Sequence, residues 1–277
     1  MTRIAELLAE VGAPGEEARR DAEVLLCRAL DKERSYLYAW PEANVEPRAA
    51  ATYRAWMDAR ARGVPVAYLL GRREFWSHDL LVNDATLIPR PDTEVLVTLA
   101  LSLALPSEAR VLDLGTGTGA IAIALASERP HWSITAVEAS PRALLVAREN
   151  ALRCNVAELR FLAGNWFEPV GGESFDLIVS NPPYVSADDP CLAEGDLRFE
   201  PRTALVSGAD GYADLDTIIA AAPRYLSPGG SIVLEHGARQ GAGVRERLGA
   251  AGFVAVATHR DLAGHERASL GQKTTGE

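Results

Sequence analysis

The apolar positions of the chain change period once. Near the start they recur in helical steps. Ile4, Leu7, Leu8 and Val11 fall at i, i+3, i+4 and i+7, one stripe that Gly12 ends. Val24, Leu25, Leu26 and Leu30 mark a second helix, and Tyr53, Trp56, Met57 and Ala61 a third, closed by Gly63. From residue 109 onward, short apolar runs alternate with helical patterns. "RVLDLG", "SITAVEAS", "LRFLAG", "FDLIVS" and "GSIVLEHG" read as five strands, apolar enough to be buried on both faces. "GAIAIALASERP", stopped by Pro130, and "PRALLVARENALRC", with Pro141 in its first turn, read as helices between them. Helices over 214–226 and 242–249 flank the fifth strand. The closing "FVAVATHRDLAGHERASLG" holds two strand-like runs that suit an antiparallel pair. This pattern predicts an α/β fold: a doubly wound, mostly parallel sheet with a terminal antiparallel strand pair, preceded by a small N-terminal helical bundle.

Between the two periods lies "GRREFWSHDLLVNDATLIPRPDTEVLV". Trp76, His78, Leu80 and Val82 alternate as in a strand, and Asn83-Asp84 signals a turn. Asp92 reads as the N-cap of a helix, with Glu94 in its first turn and Val95, Leu96 and Leu99 behind. His78 reads as an ordinary strand residue, and Arg90, effectively always protonated, is no catalytic acid. The expected organisation is a helical, partner-binding domain over 1–75, a strand-containing linker over 76–90, and a catalytic domain over 91–277.

Charge supports that division. Residues 1–75 carry 12 basic and 12 acidic side chains, whereas residues 76–277 carry 16 and 26, so the whole net charge of −10 lies in the second part. An acidic chain lacks the basic footprint of a duplex-wrapping protein, so no direct DNA binding is expected. No apolar stretch approaches a membrane span of roughly 18–20 residues, and Met1-Thr2-Arg3 leads into an amphipathic helix rather than a signal peptide. Cys27, Cys154 and Cys191 are odd in number and form no C-x-x-C pair, which suits free thiols in a cytoplasmic protein without a metal site. The two lysines against 26 arginines look like compositional bias. Tyr36, Tyr38, Trp40, Tyr53 and Trp56 cluster in the first part, as core filler or as a surface for a macromolecular partner.

The candidate chemistry begins at "DLGTGTGA", where Asp113, Gly115, Thr116, Gly117, Thr118 and Gly119 join a strand to a helix. Glycines there let a ligand approach the backbone closely. Gly115, Gly117 and Ala120 also fit the dinucleotide fingerprint, which leaves an NAD-dependent oxidoreductase open on this motif alone. Charge separates the two. A pyrophosphate wants a helix N-terminus without a nearby carboxylate, whereas the ammonium and sulfonium of S-adenosylmethionine would welcome Asp113. Glu138, ending the second strand, is placed to accept hydrogen bonds from ribose hydroxyls of either cofactor.

"FDLIVSNPPYV" then ends the fourth strand in Asn181-Pro182-Pro183-Tyr184. Two prolines remove backbone donors and fix φ, so the loop is stiff and Asn181 is held in extended geometry. With the glycine loop, this resembles class I S-adenosylmethionine-dependent methyltransferases that modify planar, sp²-linked nitrogens. The Asn181 side-chain oxygen and the Pro182 carbonyl would each accept one N–H of a target NH₂, and Tyr184 would pack its ring against the flat group. Adenine N6, guanine N2 and a glutamine side chain all present that chemistry.

A wider resemblance covers roughly residues 65–277. "GRREFWSHDLLVNDATLIPRPDTE", "VLDLGTGTGAIAIALA", "SNPPYV", "DLRFEPRTALVSGADG", "LEHG" and "DLAGHERASLG" together resemble the protein-(glutamine-N5) methyltransferase family, whose members act on class-1 peptide-chain release factors. The resemblance implies that Gly115 to Gly119 and Glu138 hold S-adenosylmethionine, with Trp166 beside the adenine. It implies that Asn181 to Tyr184 bind the glutamine of a Gly-Gly-Gln loop, that Glu200-Pro201 shapes the substrate channel, and that the helical domain grips the release factor. Two positions depart from the family pattern: Asn165 stands where aspartate is common, and His236 where a small apolar residue is common. His236 is assigned no role.

Overall fold

A computed structural model describes residues 2–11, 15–156 and 158–275; Gly12, the expected end of the first helix, lies outside them. The chain forms two compact units, Met1–Gly71 with Glu194–Phe199, and Arg72–Ala193 with Glu200–Glu277.

The first unit is helical: α1 (Ile4–Ala9), α2 (Glu16–Leu30), α3 (Arg34–Ala39), α4 (Pro47–Ala61) and α5 (Val66–Leu70). The stripe residues Ile4, Leu7, Leu25 and Leu26 meet Leu37, Val45, Ala50 and Tyr53 in its core. The aromatic residues divide. Tyr53 is buried, while Tyr38 and Trp40 are 56% and 61% exposed. The Tyr38 hydroxyl donates to buried Glu23, which also receives Arg34 at 2.6 Å and Arg19 at 3.2 Å. The mid-chain segment Glu194–Phe199 belongs to this unit, where Arg60 bridges Asp21 at 2.7 Å and Asp196 at 3.1 Å.

The second unit opens with a hairpin, β1 (Arg72–Phe75) and β2 (His78–Leu81), where a single strand over 76–82 was expected. The turn is Trp76-Ser77, both at positive φ, 50° and 62°. Two-residue hairpin turns favour Asn and Gly because both central residues must take that conformation. Here tertiary bonds hold it instead: Trp76 donates its backbone N–H to Glu94 (3.1 Å) and its indole N–H to Glu128 (2.8 Å). Asp92 is not an N-cap. A short 3₁₀ turn, Pro91–Thr93, precedes α6 (Glu94–Ser102), and the Asp92 carboxylate pairs with Arg267 at 3.3 Å.

The main sheet follows as β3 (Arg110–Leu114), α7 (Ala120–Glu128), β4 (Ser133–Glu138), α8 (Pro141–Arg153), β5 (Arg160–Ala163), β6 (Phe175–Ser180), α9 (Ala213–Tyr225), β7 (Leu226–Glu235), α10 (Gly241–Ala250), β8 (Val254–Arg260) and β9 (Glu266–Gln272). Its order is β5-β4-β3-β6-β7-β9-β8, parallel from β5 to β7, with β9 antiparallel to both β7 and β8. Strand alternation distributes the apolar residues between two cores. Val111, Leu177, Val179 and Val233 pack on one face with α6 and α7, and Leu112, Leu114, Ile178 and Ile232 on the other with α9 and α10. One of the two lysines, Lys273, donates to the Pro223 and Leu226 carbonyls at the end of α9. Among the described residues, no helix is long and apolar enough to cross a membrane.

Strand order reverses at β3: the chain moves outward to β4 and β5, then returns to β6 on the other side. Ligands of such sheets sit beyond the carboxyl ends of the strands at that switch point. The glycine loop leaves β3 there, Glu138 ends β4, and Asn181 leaves β6.

Candidate active site

A cavity of about 420 Å³ opens at this edge, lined by Gly115, Thr116, Gly117, Thr118, Glu138, Trp166, Asn181 and Pro183, among others. The glycine loop is built by its backbone. Gly115, Gly117 and Gly119 have φ of 71°, 57° and 83°, a region where a side chain costs roughly 1–2 kcal/mol. The N–H groups of Gly115 and Thr116 both bond the Val137 carbonyl, at 2.9 and 3.0 Å. A Cβ on Gly115 would stand 3.2 Å from the Trp166 ring, so glycine there lets the indole close over the loop.

Glu138 is fixed by two backbone donors, Gly117 N–H on Oε2 at 2.9 Å and Ser140 N–H on Oε1 at 2.8 Å. Each oxygen keeps a lone pair for a further donor from the cavity. Asp113 lies beneath the loop rather than on the cavity wall, with no exposure. Burial pushes its carboxyl up to about 7, against the Thr116 hydroxyl that donates to it at 2.6 Å. Gly119 starts α7 behind the wall, its carbonyl accepting from Ile123 N–H.

At β6, the Ser180 hydroxyl donates to the Leu114 carbonyl at 2.7 Å and ties the two strand ends together. Asn181 donates its amide Nδ2–H to Thr93 Oγ1 at 3.2 Å, which leaves Oδ1 as its acceptor at the cavity. Pro183 reaches the cavity, whereas Pro182 is buried within the loop. Tyr184 does not line the cavity. Its ring packs against the core between the sheet and α9–α10, and its hydroxyl donates to Glu235 Oε1 at 3.1 Å. Burial and the neighbouring Glu235 raise the Tyr184 hydroxyl far above its ordinary value. Glu235 is itself buried, and burial raises its carboxyl to about 7, opposed by Thr93, Arg267 and Tyr184.

Glu200 is also buried, accepting from Ile88 N–H at 3.0 Å and pairing with Arg90. It thereby ties the 88–90 segment to the loop whose Pro201, Thr203 and Ala204 line the cavity. Asn165 is on the cavity wall too. His236 is buried; its Nδ1–H donates to the Gly237 carbonyl (3.0 Å), and Nε2 meets Ser269 Oγ at 2.9 Å. Burial lowers its pKa, which suits a neutral packing residue.

Thr86, Leu87, Pro89 and Thr93 line the cavity as well, from the segment read as a linker. Glu235 was not singled out either. Its signal was present: a carboxylate ending the apolar run "SIVLE" at the carboxyl edge of the sheet.

The chain matches the family pattern described as "Methyltransferase small domain" over residues 92–193, and "PrmC N-terminal domain" over residues 1–71. It is 51% identical to the release factor glutamine methyltransferase of Pseudomonas aeruginosa, covering 98% of this chain and 99% of that one. It is 49% identical to the protein of the same name from Vibrio cholerae, over 92% and 90%. Among solved structures, a methyltransferase from Pyrococcus furiosus shares the fold with a TM-score of 0.54, at 21% identity over 71% of this chain and 89% of that one. The site thus sits on a methyltransferase fold, and the chain belongs to the release factor glutamine methyltransferase family.

Proposed function

We infer that the protein transfers a methyl group from S-adenosylmethionine to the side-chain amide nitrogen, N5, of the glutamine in the Gly-Gly-Gln motif of class-1 peptide-chain release factors, and so acts on translation termination. The observation that carries this is the meeting of the glycine loop and Asn181 on one cavity, in a chain about half identical along its length to release factor glutamine methyltransferases.

The residues present fit the cofactor. A Cβ on Gly117 would meet nothing within 4 Å, so the loop backbone is open to a ligand. Glu138, oriented by its two backbone donors, suits a ribose diol, and Trp166 offers an aromatic face for adenine. Thr116 and Thr118 complete that wall, while Asp113 braces it from below through Thr116. When bound, S-adenosylmethionine supplies a methyl group activated by its sulfonium.

An amide nitrogen is a poor nucleophile because its lone pair is delocalised into the carbonyl. Asn181 Oδ1 and the Pro182 carbonyl each accept one N–H of the target NH₂. Held that way, the nitrogen is turned out of conjugation and its growing positive charge is stabilised. The two prolines keep both acceptors from relaxing. No strong base is required, since the proton becomes acidic as the nitrogen gains its fourth bond, and it leaves to solvent water. Pro183 presents an apolar face beside the target, and Tyr184 supports the loop from behind. Glu200, through Ile88 and Arg90, shapes the channel.

The helical unit, residues 1–71 with 194–199, grips the release factor, and the second unit, whose segment 85–89 lines the cavity, carries out the transfer. The chemistry calls for neither a metal, DNA nor a membrane, and its compartment is the cytoplasm. The test is transfer from labelled S-adenosylmethionine to a purified release factor, its Gly-Gly-Gln→Gly-Gly-Ala variant, duplex DNA and RNA. Label on the wild-type factor alone is expected. Label on nucleic acid alone overturns the substrate in favour of adenine N6 or guanine N2.

A further inference from the structure

Gly211, before α9, and Gly237, after β7, do not line the cavity, yet both meet one side chain. Gln240, half-buried at the start of α10, accepts the Gly237 N–H on Oε1 at 2.8 Å. Its Nε2 donates to the Gly211 carbonyl at 3.1 Å and to the Tyr184 carbonyl at 3.2 Å. A backbone N–H only donates and a carbonyl only accepts, so one orientation of the amide satisfies all three. Both glycines are part of the contact. A Cβ on Gly211 would collide with the Tyr184 carbonyl, and one on Gly237 would stand 2.9 Å from Gln240 Oε1.

Tyr184 is thereby held at two points. Its hydroxyl donates to Glu235 Oε1 at 3.1 Å, and its carbonyl accepts from Gln240. Asn181 stands three residues earlier, and the two prolines between them have fixed φ. A stiff segment carries a displacement at one end to the other, so the seat of Tyr184 sets where Asn181 Oδ1 and the Pro182 carbonyl point. The chain beyond Tyr184 pairs with the channel segment. Val185 N–H donates to the Leu205 carbonyl and Ser207 N–H to the Val185 carbonyl, both at 2.9 Å. Gln240 adds Gly211 to that pairing. One amide thus joins the acceptor loop to the stretch whose Pro201, Thr203, Ala204 and Asp214 line the cavity.

We propose that Gln240 is a positioning residue for the transfer: its amide fixes Tyr184 against the 201–214 segment and so aims the Asn181 and Pro182 acceptors at the channel. Gln240 lies off the cavity wall and touches neither substrate. The proposal rests on the reading of Asn181 and Pro182 as the acceptors. It extends that reading to a residue more than fifty positions along the chain, at the start of α10.

The test is a double-mutant cycle in the full-length enzyme. Gln240→Met keeps the length of the side chain and removes all three hydrogen bonds. Gln240→Glu keeps the acceptor for Gly237 N–H but sets a carboxylate oxygen against two carbonyls. Gln240→Met is expected to lower kcat by about tenfold to a hundredfold. S-adenosylhomocysteine affinity, read by calorimetry, and the release-factor KM should stay within about threefold. Gln240→Glu should be at least as slow as Gln240→Met, because its two carbonyl contacts turn repulsive. In an Asn181→Ala background, Gln240→Met should lower kcat by less than about threefold further, because an acceptor it aims is gone.

Wild-type kcat in Gln240→Met overturns the proposal, as does a loss that multiplies in full onto that of Asn181→Ala. A Gln240→Glu enzyme as fast as wild type also overturns it, by reducing Gln240 to a cap on the turn after β7. So does a loss confined to the release-factor KM or to S-adenosylhomocysteine affinity. If Gln240→Met does not fold, Gln240→Glu, with its Gly237 contact intact, carries the same cycle. Failure of the wild-type enzyme to label the release factor is a different result. It overturns the substrate, and the cycle is then read on the acceptor that is labelled.

Discussion

The ends of β3 and β6 lie side by side, with Leu114 in register with Ser180 and the Ser180 hydroxyl bonded to the Leu114 carbonyl. Beyond that shared point the two chains do opposite things. One leaves the strand through three glycines at positive φ; the other leaves through Asn181 and two prolines whose φ is fixed. In the proposed transfer, the first loop gains by having no side chains, because the cofactor has to approach its backbone. The second gains by stiffness, because an amide oxygen and a carbonyl are to hold one direction while a weak nucleophile is turned toward the methyl. A two-substrate transfer needs both kinds of surface, and the switch point of the sheet sets them next to each other.

The largest effect separating the two loops is expected from Asn181→Ala. Removing a preoriented acceptor from a buried site lowers kcat by about a hundredfold to a thousandfold. S-adenosylmethionine affinity, read by calorimetry, should change by less than about threefold, since Asn181 only borders that part of the cavity. Equal losses in both quantities would mean that the loops do not divide the work.

Gly115→Ala is the converse and is expected to be smaller. The new Cβ has to occupy φ near 71° and displace a Trp166 ring 3.2 Å away. The cost of roughly 1–2 kcal/mol corresponds to an affinity for S-adenosylmethionine lower by about tenfold. At saturating cofactor, kcat should recover to within a few-fold of wild type. A kcat that stays low at saturation would show that the glycine loop also shapes the reacting geometry.

The same contrast explains what could be seen in the sequence. Both loops were legible because their residue types have few other uses: three alternating glycines after an apolar strand, and Asn-Pro-Pro-Tyr after another. The strands themselves were legible from unbroken apolar runs, and the terminal antiparallel pair from the polar break between its two runs. What escaped was local structure that depends on distant partners. The Trp76-Ser77 turn has neither Gly nor Asn, and it exists because Glu94 and Glu128 hold Trp76 from outside the hairpin. Asp92 looked like a cap, yet its carboxylate goes to Arg267, 175 residues away along the chain. Helices α3 and α5, six and five residues long, are too short for a period to register. Thr93 and Glu235 escaped for the same reason as the turn: each meets its partner on the Asn181–Tyr184 loop only through the fold.

Each loop also rests on a hidden carboxyl, Asp113 below the glycines and Glu235 behind the prolines, and this gives the smallest and most symmetrical prediction. Burial raises both to about 7 from ordinary values of 3.8 and 4.5. Below those ordinary values both groups are neutral in the folded and unfolded chain alike, and ionisation costs the fold nothing. As pH rises toward 7 the unfolded chain gives up these protons while the fold retains them, so stability falls; above 7 the loss is complete. Asp113→Asn and Glu235→Gln remove that loss one site at a time. Measured against wild type, the Tm of each variant should therefore improve as pH rises from about 4 to 7 and level off above. The relative gain expected is at least about 1 kcal/mol, or roughly 2–4 °C. A gap that stays constant across the window for Glu235→Gln but widens for Asp113→Asn would break the symmetry. It would mean that Arg267, Thr93 and Tyr184 keep the carboxylate behind the prolines charged, while the glycine loop alone is built on a neutral acid.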